Sequence, residues 1–371
     1  MEINEKIKQD NISKISNGMD YRKELDDLLT TVIKEGGSDL HLSEGRHPTI
    51  RVNGFLIPLV NKLVLTKEDT KGMISVLLRK EDAETFLSKK EIDFSYNYVS
   101  GERFRGNAYF QQGAISMALR LIPKKIRSFD ELNLPQVLTT FAEKPQGFFL
   151  VVGPVGHGKT TTLAAMIDYI NISRPEHIIT VEDPIEYVYE QKKAIIDQRE
   201  VRVDTEDFAT ALRNVFRQDV DVLLIGEMRG TETIATAVTA AETGHLVFST
   251  LHTNSAAQTI SRIIDSFPAE QQSQIRVQLA GSLTGIFSQR LIPRISGGLV
   301  PAYELLINNN AVSNLIRENR IHEIDSVIET SSQEGMVDMN RSLADLVNRG
   351  EITVENAYMY SLDAQVLEKL L

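Results

Sequence analysis

The residues Gly153-Pro154-Val155-Gly156-His157-Gly158-Lys159-Thr160 set two glycines five positions apart ahead of a lysine and a hydroxyl residue, the pattern of a phosphate-binding loop. The residue types follow from the chemistry. Backbone N–H groups must wrap a polyphosphate closely, so Gly153, Gly156 and Gly158 stand where φ is positive or a side chain would collide, and the following helix turns its positive end to the anion. Lys159 can reach the β and γ phosphates of ATP as a point charge, and the Thr160 hydroxyl can ligate the Mg2+ that bridges the same oxygens. Pro154, Val155, His157 and Thr161 complete the expected nucleotide contacts. Position 157 offers mainly its backbone, so its side chain is expected to matter little.

The elements that position these groups alternate strand and helix. Phe148-Phe149-Leu150-Val151-Val152 enters the loop and Leu163-Ala164-Ala165-Met166 leaves it. Further strands are expected at 177–181, 220–225 and 246–251, and helices at 207–218, 231–242 and 255–267, which implies a parallel sheet with right-handed crossovers. Ligands in such sheets bind at the carboxyl ends of the strands. There stand Glu182-Asp183-Pro184-Ile185-Glu186, then Gly226-Glu227-Met228-Arg229-Gly230, then Thr250-Leu251-His252-Thr253 with His245 at the other end of the same strand.

Glu227 can hold Mg2+ directly or through its waters, and Glu186 can orient or deprotonate the attacking water. Either acid alone would read as a solvated loop carboxylate; two after successive strands favour hydrolysis. His245 and His252 can bond to phosphate or sense the γ-phosphate, or simply be satisfied strand-end residues. They do not form a metal pair, because strand ends do not converge as an i, i+4 helical pair does.

Before the loop, residues 21–122 read as an α+β domain with an antiparallel sheet and helices on one face. Asn53-Gly54 supplies a hairpin turn signal. Arg103, Arg105 and Arg120 lie on its strands, either as a solvated face or as charge stabilisers of a transferred phosphoryl group across an interface. Residues 1–20 read as a leader, 123–145 as a linker and hinge with three prolines, 146–310 as the α/β domain and 311–371 as a small helical tail.

Composition narrows the class. With 371 residues, 42% apolar and 25% charged, the chain is an ordinary globular protein of about two domains. No apolar run reaches the roughly 20 residues of a spanning helix, and the polar start is not a signal peptide, so a cytoplasmic location without direct membrane insertion is expected. Zero cysteines exclude disulfides and cysteine zinc sites, and a net charge of −11 argues against nucleic acid as partner.

With these residues assembled, the chain resembles the PilT-like retraction ATPases of type IV pili, within the secretion ATPase superfamily, over residues 21 to 350. The pieces are Ser38-Asp39-Leu40-His41-Leu42, the loop with Thr161-Thr162-Leu163-Ala164-Ala165-Met166, Glu182 to Glu186, Gln198-Arg199-Glu200-Val201, Gly226 to Arg229, Ala240 to Leu246, Thr250 to Thr253 and Phe267-Pro268-Ala269-Glu270. The resemblance implies a PAS-like N-terminal domain, a RecA-like P-loop ATPase domain, and a homo-hexamer with ATP between neighbouring subunits. It implies a motor that hydrolyses ATP to drive pilus retraction, pilin disassembly and twitching motility from the inner face of the cell membrane at the pilus base. Its partners would be an inner-membrane pilus platform protein and, as a further candidate, an accessory retraction ATPase. Within it Lys159 grips phosphate, Glu186 is the catalytic carboxylate, Glu227 the Walker B acid, His245 and His252 sense nucleotide, and Arg105 and Arg120 reach the γ-phosphate.

The chain also departs from the family. His157 stands where serine is common, Gly230 replaces an acid, and Ser313 replaces the first arginine of the tail stretch Ala311 to Glu318. Sister ATPases of pilus extension and type II secretion are the alternative, but many carry four zinc-binding cysteines that are missing here. From other classes, a nucleic-acid translocase would need a basic channel, and a nucleotide switch without turnover would not need the paired acids.

Overall fold

The structure is a computed structural model that describes residues 20–371 apart from Asn53, Ser100, Lys124 and Arg229. The expected leader up to residue 19, the Asn53 half of the turn signal, and Lys124 and Arg229 lie outside the described residues. Two compact units divide between residues 124 and 125.

The first unit opens with α1 (Tyr21–Lys34), whose N-cap Asp20 accepts from the Arg22 and Lys23 N–H groups. Three strands follow, β1 (Asp39–Ser43), β2 (Thr49–Val52) and β3 (Phe55–Pro58). α2 (Lys67–Leu77) begins with a Thr66–Asp69 capping box and is followed by α3 (Lys80–Lys89). β4 (Glu91–Asn97), β5 (Arg103–Gln111) and β6 (Ala114–Ile122) complete an antiparallel sheet of order β3-β2-β1-β6-β5-β4. Alternation along the strands sends Leu40, Leu42, Phe104, Ala108 and Leu119 into one core with Leu25, Leu28, Val32 and Met73 of the helices. The opposite face carries a row in register, Arg51, Asp39, Arg120 and Arg105.

The second unit contains α4 (Val137–Ala142), β7 (Gly147–Val152), α5 (Lys159–Ser173), β8 (His177–Glu182) and β9 (Ile195–Glu200). Then come α6 (Phe208–Val215), β10 (Val222–Ile225), α7 (Thr231–Glu242), β11 (Leu246–Leu251), α8 (Ala256–Asp265) and α9 (Ala269–Ser282). β12 (Leu283–Pro293) and β13 (Leu299–Ile307) form a hairpin, and α10 (Asn310–Arg317), α11 (Ile324–Thr330), α12 (Met339–Asn348), α13 (Val354–Tyr360) and α14 (Ala364–Leu370) end the chain. The sheet order is β13-β12-β7-β11-β10-β8-β9, parallel except for the β12–β13 pair. β7 is buried on both faces, with Phe148, Leu150 and Val152 in one core and Phe149 and Val151 in the other. Ile292, Val300 and Ala302 form a further cluster with Met339, Leu343 and Leu367 of the tail.

The expected linker over 123–145 is mostly packed structure. Phe129, Leu134, Leu138 and Phe141 are buried in a core of the second unit, with the Phe141 and Phe149 rings 4.5 Å apart. Arg174 donates to the Ala142 and Lys144 carbonyls at 2.6 and 3.1 Å, which ties the segment down. Pro135 and Pro145 lie within that packed stretch, and Pro123 stands exposed beside the division between the two units. Four elements lack a clear pattern in the sequence: β9, α9, β12 and β13. β9 is a polar edge strand, and β12 buries Ser288 and Gln289, which interrupts the apolar run expected of an inner strand.

Candidate functional site

The loop leaves β7 at Val152, which is paired with Leu251 of β11 and Ser288 of β12. Gly153 has φ +143°, and a Cβ there would lie 2.3 Å from the Gln289 carbonyl oxygen, so only glycine fits. Gly158 has φ +79° at the N-cap of α5 and offers no side-chain cap, which leaves the first N–H groups of the helix for an anion.

Lys159 is 7% exposed, and its Nζ donates to the Gly153 and Pro154 carbonyls at 2.9 Å each and to His252 Nδ1 at 3.2 Å. Burial lowers its pKa, while the charges of Glu186 and Glu227 pull it back up. The charges of both acids therefore act on the same lysine. His252 Nδ1 accepts from Lys159, so its proton sits on Nε2, 3.8 Å from Glu227 Oε2. Thr160 and Thr161 are half-buried, and Thr161 shares a hydrogen bond of 2.9 Å with the Tyr187 hydroxyl.

The turn that carries Glu186 is held by two other buried carboxylates. Glu182 Oε1 accepts from the Thr180 hydroxyl at 2.7 Å and the Gln198 amide at 3.3 Å, and its Oε2 accepts from the Glu186 N–H at 3.4 Å. Burial pushes the Glu182 carboxyl up to about 7 against those hydrogen bonds. Glu200 Oε2 accepts from the Ile185 N–H at 3.1 Å, which brings β9 into the site. Glu227 leaves β10 after Gly226, whose carbonyl accepts from the Thr250 hydroxyl at 2.7 Å.

Other sequence candidates lie elsewhere. His245 stands at the amino end of β11, where Nδ1–H donates to the Ala240 carbonyl at 2.9 Å and the ring meets Phe216 edge-on at 5.6 Å. Leu251 at the other end of the strand is six residues on, about 20 Å at roughly 3.3 Å per residue. His245 therefore lies at the end of the sheet away from the loop of its own chain. Arg105 and Arg120 face each other in register in the first unit, and Arg120 Nε lies 2.9 Å from Asp39 Oδ1. Asp39 is 7% exposed and Arg51 approaches it from the other side at 4.0 Å, so Arg120 also neutralises a buried acid.

The expectation for His157 also changes. Its side chain is engaged, with Nδ1 accepting from the Leu291 N–H at 2.9 Å, so the position contributes more than its backbone. Gln289, 2% exposed, accepts from the Thr162 hydroxyl at 2.6 Å and donates to the His157 carbonyl at 2.9 Å. No motif flagged Gln289 or Tyr187, although the amide and phenol are the polar residues of otherwise apolar neighbourhoods. Among the described residues no group of three His, Asp or Glu is arranged to hold a metal ion. Mg2+ suits such a site when it is shared with phosphates: the half-buried Thr160 hydroxyl next to Lys159 in sequence and the Glu227 carboxylate whose charge acts on that lysine are hard oxygen donors.

A family model described as Type II/IV secretion system protein matches residues 21–298. A type IV pilus retraction ATPase, PilT, of Pseudomonas aeruginosa is 44% identical over 334 residues, 90% of this chain and 97% of that protein. A twitching motility protein of Neisseria gonorrhoeae is 45% identical over 311 residues, covering 84% and 83% of the two chains. A crystal structure of the pilus retraction motor PilT with bound ADP matches with a TM-score of 0.87 and 44% identity, over 93% of this chain and 99% of that one.

Proposed function

The chain belongs to the family of Type II/IV secretion system proteins, and from that premise we propose that it is the ATP-hydrolysing motor of type IV pilus retraction. The observation that carries the reading is the convergence of Glu186, Glu227 and His252 on Lys159 at a phosphate loop, within a chain that is similar to retraction ATPases across both units. The loop N–H groups and Lys159 bind the phosphates, and Glu186, held by Glu182 and Glu200, orients and deprotonates the attacking water. Thr160 and Glu227 would hold Mg2+, which would supply charge neutralisation for the phosphates. The second unit is the RecA-like ATPase domain and the first is PAS-like.

Arg105 and Arg120 reach the γ-phosphate of a neighbouring copy in a homo-hexamer. The ring works against an inner-membrane platform protein from the inner face of the membrane, with an accessory retraction ATPase as a further partner. Among the described residues no helix is long and apolar enough to cross a membrane. Purified protein with ATP and Mg2+ is expected to release phosphate, and Lys159→Ala or Glu186→Gln to abolish it; full activity in either variant removes the assignment. Imaging of labelled pili in cells lacking the protein separates retraction from extension: pili that still shorten, with no related ATPase present, contradict the motor reading.

A further inference from the structure

β7 stops at Val152, opposite Ser288, whereas β12 runs on to Pro293. The projecting stretch 289–293 has one edge bonded to β13 and the other turned to the phosphate loop. Backbone groups on that edge need partners once they are covered. The loop supplies them. Gly153 packs against the Gln289 carbonyl, the Gln289 side chain bridges Thr162 and the His157 carbonyl, and the Leu291 N–H donates to His157 Nδ1 at 2.9 Å. Behind the same strand, Arg290 donates to the Tyr360 carbonyl at 2.5 Å, and the Tyr360 ring lies edge-on to the His157 ring at 6.2 Å.

We propose that His157 is a positioning residue for nucleotide binding: its unprotonated Nδ1 accepts the Leu291 N–H and clamps the middle of the phosphate loop onto the projecting end of β12. The proposal deepens the reading of this loop as a nucleotide site and rests on it. Reach explains the residue type. Nδ1 stands one bond farther from Cα than a serine hydroxyl, whereas the Oδ1 of asparagine stands at the same remove. Protonation would aim a second N–H at Leu291 and break the bond. Arg290 from β12 and Lys159 from the start of α5 are the charges that face the ring, with neutral Tyr360 facing it from α13. Burial first, then those two charges, hold the imidazole below its usual 6.5, so the clamp is intact at neutral pH and opens as pH falls below that value.

The test measures ADP dissociation constants by calorimetry for the wild type, His157→Ala and His157→Asn, from about pH 8 down to about pH 5.5. His157→Ala is expected to bind about fivefold more weakly at neutral pH, the effect of one net hydrogen bond, and His157→Asn to recover most of that loss. The ratio of the wild-type constant to that of His157→Asn cancels the ionisation of the nucleotide, and it is expected to rise once pH falls through the lowered pKa of the imidazole. A ratio that falls toward the acid end overturns the clamp, as does an alanine variant that binds like the wild type. The pH arm needs only the wild type and the asparagine variant to fold. A wild type that binds no ADP at any pH overturns the nucleotide site as well, which tells the two failures apart.

Discussion

Glu304 of β13 is 3% exposed and accepts the Ala256 N–H at 2.6 Å, at the start of the helix that follows His252. Burial, with added repulsion from Asp325 and Asp338, pushes its carboxyl up to about 8, against the Ala256 bond and the Arg290 charge. A carboxyl raised above its unfolded value of 4.5 binds more protons folded than unfolded, so the stability it contributes is fully present below 4.5 and lost as pH rises toward about 8. Glu304→Gln keeps an acceptor for Ala256 and removes the titration. Its melting temperature is expected to match the wild type near pH 5 and exceed it near pH 8.5, by on the order of a few kcal/mol of stability. Parallel melting curves across that range would contradict this account. Lys159, Glu186, Glu227 and His252 were readable because Lys159 opens a helix and the other three follow the ends of buried strands. The work of Gln289 and of the His157 side chain was not, since their partners lie 127 to 134 residues away in sequence.

At the scale of elements, strong periods and buried runs were legible. The boundaries of α7 and β11 fall where the sequence placed them, at Thr231–Glu242 and Leu246–Leu251, because small and apolar residues repeat without interruption. α6 is shorter than its pattern, ending at Val215, because Phe216 turns outward after the last buried position. The segment before β7 misled for a physical reason: prolines and charges look like a linker, yet Phe129, Leu138 and Phe141 are spaced to cover α5 and β7. Phe141→Ala is therefore expected to lower the stability of the second unit by about 3 to 5 kcal/mol in urea unfolding, the usual loss for a buried aromatic. A change under about 1 kcal/mol would return the segment to the status of a linker. Ser313 bonds to the Ala280 carbonyl at 3.0 Å and Asn308 at 3.1 Å, so this departure from the family closes a local helix contact.

For the whole molecule, the division at 124/125 separates two kinds of charge. The second unit holds the loop, both acids and the strand that supports the loop, whereas Arg105 and Arg120 belong to the first. Residues 125–371 alone are expected to bind ADP yet release phosphate slowly. In the full chain Arg105→Ala is expected to cut phosphate release by about a thousandfold, the scale of an arginine finger. Arg120→Ala is the poorer probe, because it strands buried Asp39. An Arg105 variant with undiminished turnover would exclude it from the reaction. The meeting of Tyr360 with His157 carries one more consequence. The chain contains no tryptophan, so an indole at position 360 would be its sole emitter of that kind, set against the ring that grips the loop. The far end of the chain thus offers a place from which the filling and emptying of the loop could be watched as light, with nothing attached to the nucleotide.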